Sequence, residues 1–210
     1  MCASWATAEA GFAWIDTHNL LGYCALTLVI FRILWGFAGT RYARFGNFLA
    51  GPSTVLATVP KLFSRRPAND IGHNPIGGWS AVLFLLLVAV QAGTGLFISD
   101  DVLHVGPYNH VISSSLAGKL AQVHHLNFTA IQVFVGIHLA AIAWYRFGKG
   151  AALVGPMLTG RKHLADSAQG IASSQLLKAA VLFAVAAASV TALIQLAPAP
   201  SLDEFMFLSL

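Results

Sequence analysis

Charge is what this sequence has least of. Asp, Glu, Lys and Arg together make up 10% of its 210 residues, against about 25% in a soluble globular domain. So few charges cannot wet a globular surface, which sets a water-soluble domain aside. Cysteine is almost missing too. Cys2 and Cys24 are the whole supply, and no Cys-x-x-Cys-His occurs, which argues against thioether attachment of a c-type haem. The two thiols read as inert. The formal net charge is only +4, and the basic residues sit in short loops without forming a patch. Nucleic acid is therefore not an expected partner. Tandem repeats and low-complexity linkers are lacking as well.

What is present is apolar: 57% of the residues are hydrophobic and the mean hydropathy is +0.70. The expected class is an all-α, polytopic transmembrane helical bundle. A membrane span needs about 20 apolar residues. Four stretches supply them, at roughly 19–38, 79–99, 123–145 and 177–197, with ends uncertain by about 2–4 residues. The fourth is rich in alanine, which suits close helix contact in lipid. Arg41, Arg44, Lys61, Arg65 and Arg66 lie between the first two spans, and Arg146, Lys149, Arg161, Lys162 and Lys178 between the third and fourth. These are ten of the twelve basic residues. The opposite side carries Lys119 against Glu9, Asp16, Asp100, Asp101, Asp203 and Glu204. An excess of Lys and Arg in short loops marks the cytoplasmic side, so both basic loops are expected there. In the first of them Val55, Leu56, Val59, Leu62 and Phe63 recur at helical spacing, as in a helix lying in the membrane surface.

The polar residues inside these spans form two levels. His18 opens the first span and His124 the third, and both spans run inward, so the two histidines share an outer level. His138 follows His124, and Arg32 follows His18, by 14 residues in each case. That is about 21 Å of helix and nearly four whole turns. An inner level therefore holds His138 and Arg32. Polar groups in lipid need partners. A haem iron suits imidazole, and histidines from neighbouring helices can clamp one porphyrin between them. An arginine at the right depth could hold an anionic propionate. With both axial positions taken by imidazole, electron transfer is favoured over oxygen chemistry.

Plainer readings stand beside these. A histidine at a membrane edge such as His18 is often only an interfacial polar group. Of the adjacent His124 and His125, one can face the bundle while the other meets water or headgroups. Arg32 could snorkel toward the cytoplasm. His73, in the turn GHNPIGG, reads as a local hydrogen-bonding residue, and His104, His110 and His163 read as solvated loop residues. Gly93 and Gly95 could admit a macrocycle against bare backbone or serve ordinary helix packing.

The ordered set HNLLGY, FRILWGFAGTRYARF, GHNPIGG, GLFISDD, VHH with the later GIH, and TGRK covers roughly residues 15–163. It resembles the bacterial cytochrome b-561 family, which includes the cytochrome b subunit of Ni,Fe-hydrogenase. The resemblance implies four core helices in the bacterial inner membrane, holding haem b between histidines. Electrons would pass between quinone and a partner redox protein, either a c-type cytochrome or a dehydrogenase or hydrogenase subunit. His18, His124 and His138 match ligand histidines, and His124 rather than His125 keeps the spacing to His138. The domain reading that follows is a haem-binding membrane domain over residues 1–163, then a cytoplasmic linker and C-terminal span over residues 164–210.

The chain departs from the family at its start. The family opens with a helix whose cytoplasmic end carries an Arg-x-Phe-His-Trp type motif, and that histidine is the second ligand of the inner haem. Here MCASWATAEAGFAWID resembles only the outer end of that helix. The expectation is a misplaced start, with loss of the inner haem or a helix from a second polypeptide as alternatives. One outer haem is expected, and an inner one only if His138 finds a partner. Two rival functions stay open. One is a family member that oxidises superoxide and reduces quinone, against which Asp100 and Asp101 argue because they would repel an anion. The other is a haem-free membrane anchor or assembly subunit.

Overall fold

The computed structural model describes residues 2–64, 74–99, 105–151, 154–160, 171 and 173–198. Among them the regular structure is helical. In chain order the helices are α1 Cys2–Glu9, α2 Ile15–Ala38, α3 Phe45–Phe48, α4 Pro52–Leu62, α5 Pro75–Gly95, α6 Ser114–Ala143, α7 Val154–Thr159 and α8 Leu176–Gln195. A π-helical turn, Trp144–Gly148, continues α6. Among the described residues extended pairing is limited to an isolated bridge between Ser99 and Val105.

Four of these helices are long and apolar enough to cross a membrane: α2, α5, α6 with its π-helical continuation, and α8. The chain is thus a multi-pass helical membrane protein. The span ends differ from the hydropathy reading for local reasons. α5 starts at Pro75, a favoured first helical position, and the Asn74 Oδ1 accepts the Gly77 N–H at 2.6 Å. This is a side-chain cap, and it explains the Asn-Pro of GHNPIGG. α5 stops at Gly95 rather than 99 because the following chain turns back on it. The Tyr108 N–H reaches the Leu96 carbonyl at 3.0 Å and the Asn109 Nδ2 reaches the Phe97 carbonyl at 2.6 Å. α6 begins nine residues before 123, at Ser114. Its first turns, SSLAGKLAQ, are helical but too polar to register as span. The expected helix in the first basic loop is α4, opened by Pro52 after Gly51.

The chain divides into two compact units. The first comprises Met1–Arg32, Leu87–Thr129 and Ala180–Leu210; the second comprises Ile33–Leu86 and Ala130–Ala179. In the first, Val29, Leu96, Ala186 and Val190 are buried, and Phe31 meets Phe183 edge-on at 5.8 Å. The Tyr108 hydroxyl donates to the Leu193 carbonyl at 2.7 Å, tying the loop before α6 to α8.

In the second unit the Phe45 ring lies on the bare backbone of Gly36, leaving no space for a Cβ there. Such small residues let elements approach closely inside a membrane. Phe84 stacks on Phe134 at 5.8 Å. The C-terminal end of α4 is held by the end of α6. Trp144 Nε1 donates to the Leu62 carbonyl and Lys149 Nζ to the Lys61 carbonyl, each at 2.8 Å. Lys149 is only 6% exposed, with its ammonium 4.4 Å from the centre of the Tyr145 ring. A cation at a helix C-terminus meets the negative end of the helix dipole.

Candidate functional site

The first unit gathers His18, His124 and the groups that hold them. α2 carries His18 and α6 carries His124, and both belong to this unit. Both are half-buried, whereas the adjacent His125 is exposed. The rings of His124 and His125 stand nearly perpendicular, at 86°, with centres 6.0 Å apart.

Each of the paired histidines is anchored through the same ring nitrogen. The His18 Nδ1 lies 2.8 Å from the Ser4 carbonyl of α1. A carbonyl can only accept, so Nδ1 carries the proton and Nε2 keeps its lone pair. The His124 Nδ1 lies 3.0 Å from the Thr94 Oγ1, with the Gln91 carbonyl as a further acceptor for the ring. The Thr94 hydroxyl directs its own proton to the Val90 carbonyl at 2.7 Å, which leaves its oxygen to accept from the His124 Nδ1–H. Both imidazoles thus present Nε2 as an available donor to a metal. An Nδ1–H bonded to a carbonyl or hydroxyl is the usual support of a metal-bound histidine.

The helix seam behind His124 is polar and closed. Thr94 is 8% and Asn127 9% exposed. The Asn127 Nδ2 donates to the Leu87 carbonyl and to the Gln91 Oε1, each at 2.8 Å. The His124 Cε1 lies 3.5 Å from where a Cβ on Gly95 would stand, so the ring rests against bare backbone. Gly22, one turn along α2 from His18 and on the same face, and Gly93 on α5 have open space where a Cβ would stand. The unprotonated Nε2 atoms and the bare backbone of Gly95 beside the His124 ring suit the chemistry of a haem iron, which the two imidazoles would hold. Among the described residues no three of His, Cys, Asp and Glu cluster as they would for a metal ion.

The other predicted site residues lie elsewhere. Arg32 belongs to the first unit; it is half-buried, and its Nη1 is shielded from solvent. His138 belongs to the second unit, where it is exposed and is the one histidine among the described residues. An open groove of about 560 Å³ also lies in that unit; the described residues that line it, Ala140, Ala143, Trp144, Phe147 and Gly148, carry no titratable group. His110, expected in solvent, has its Nε2 buried, because the turn that carries it is tied down by Tyr108 and Asn109. His73, His104, His163, Asp100 and Asp101 fall outside the described residues. Thr94 and the Ser4 carbonyl were not foreseen. The usable signal for Thr94 was a hydroxyl near the end of α5, which the return of the chain into α6 brings beside His124.

A family model described as prokaryotic cytochrome b561 matches residues 3–160. No curated protein and no solved structure matches the chain. The family match makes the chain a membrane b-type cytochrome of electron transfer, and it ends before α8.

Proposed function

We propose that this chain, which belongs to the prokaryotic cytochrome b561 family, carries electrons between the quinone pool and a partner redox protein through one bis-histidine haem b. His18 and His124 are its axial ligands. The observation that carries the reading is the shared anchoring of the two rings. Each Nδ1–H is bound to the protein, which turns each Nε2 outward as a ligand from two separate helices. The group, when bound, supplies the one-electron redox change; the protein supplies ligation, burial and position.

The chain lies in the bacterial inner membrane with both basic loops cytoplasmic and the His18 and His124 level toward the periplasmic side. The partner there is a c-type cytochrome or a dehydrogenase or hydrogenase subunit. His138 is the ligand of an inner haem where a second imidazole reaches it; Arg32 is a partner for a haem propionate. Residues 1–163 form the haem-binding domain, and residues 164–210 a cytoplasmic linker and C-terminal span.

A dithionite-reduced minus oxidised spectrum of the purified protein tests this reading. The sharp bands of a b-type cytochrome are expected, at one haem per chain, and His18→Ala should remove them. A protein without those bands, or a His18→Ala variant that keeps full haem content, would overturn the assignment.

A further inference from the structure

Thr94 is tied to both helices of the seam. Its Oγ1 lies 2.7 Å from the Val90 carbonyl and 3.1 Å from the Gln91 carbonyl of its own helix, and 3.0 Å from the His124 Nδ1 on α6. A hydroxyl has one proton and two lone pairs. The carbonyls can only accept, so the hydroxyl proton goes to them and its oxygen is left to accept from the imidazole. A directed relay results, from the His124 Nδ1–H to the Thr94 hydroxyl to the backbone of α5. Thr94 is itself 8% exposed, so water does not readily substitute for it. Among the described residues no comparable side chain supports His18, whose Nδ1 is held by the backbone carbonyl of Ser4.

We infer that Thr94 is a positioning residue for His124: its hydroxyl holds the imidazole in the Nδ1–H form, sets the plane of the ring, and raises the donor strength of Nε2. The part of this inference that concerns potential rests on the haem reading above; the part that concerns the tautomer does not. Drawing on the Nδ1–H bond gives the ring partial imidazolate character, which favours the oxidised iron. The redox potential is therefore set in part by a residue that never touches the cofactor.

Two measurements separate the inference from the haem reading. The first uses haem-free protein labelled with ¹⁵N at histidine. In the wild type and Thr94→Ser, the His124 ring shifts should be those of a protonated Nδ1 and a bare Nε2. In Thr94→Val, which keeps the shape and loses the hydroxyl, they should move toward a mixture of the two forms. The second uses the haem-loaded protein. Thr94→Val should retain haem but show a raised midpoint potential and altered low-spin EPR g values, with Thr94→Ser close to wild type. Thr94→Val matching wild type in tautomer, potential and g values would overturn the inference. So would Thr94→Ser deviating as far as Thr94→Val, since packing would then be the cause. If the wild type binds no haem, the haem reading fails and the tautomer measurement still decides the role of Thr94.

Discussion

The two units put their polar groups to different uses. In the first, imidazoles and amides are paired across helices: His18 to Ser4, His124 to Thr94, Asn127 to Gln91. In the second, described residues carry Arg41, Arg44, Lys61, Arg146, Lys149 and Lys178 and no Asp or Glu. There Lys149 goes to the Lys61 carbonyl and the Tyr145 ring, and the Asn74 amide to the Tyr145 hydroxyl. One unit uses hydrogen bonds to aim two ring nitrogens. The other uses them to tie a surface helix to the end of a span. Polar residues in a membrane protein are therefore not one class, and what each one bonds to decides whether it reads as site or as scaffold.

The largest test of this contrast is a pair of substitutions on α6. His124→Ala should abolish the haem absorption while the protein still inserts into the membrane, and His138→Ala should leave that absorption unchanged. Haem content per chain, measured by pyridine haemochrome, reads both. Equal losses in the two variants would erase the distinction between the units.

Lys149→Met comes next. It removes a buried ammonium bonded to the end of α4, an interaction of about 1.5–3 kcal/mol for a charged hydrogen bond. The expected result is a lower unfolding temperature in detergent and faster proteolysis after Lys61, with the reduced haem spectrum unaltered. A spectral change here would mean that the clamp also serves the site.

Asn127→Leu should have the smallest effect. Polar bonds between membrane helices average about 0.6 kcal/mol and seldom exceed about 2. A small loss of thermal stability is expected, with His124 still held by Thr94. A loss of haem as large as that of His124→Ala would show that the seam, rather than Thr94, holds the ring.

Much of this was legible beforehand, and particular residues show where legibility stopped. The four spans could be read because a run of about 20 apolar residues has few other uses. The start of α6 could not, because Ser114–Gln122 is helical without being apolar. Lys149 read only as one of the basic residues between the third and fourth spans; its burial depends on where the ends of α4 and α6 meet, and charge counting carries no such information. Spacing to His138 had already set His124 apart from His125 as the family's ligand position; the contrast in their burial came from the helix rotation that packing against α5 imposes.

By itself the sequence determined that this chain is a helical membrane protein with histidines opening two of its spans, because composition and spacing along a helix follow from covalent geometry alone. Only the tertiary structure decided which ring nitrogen each histidine keeps free. That choice depends on an acceptor from another part of the fold, the Ser4 carbonyl for His18 and the Thr94 hydroxyl for His124, and a hydrogen bond between segments distant in sequence exists only once the helices have packed.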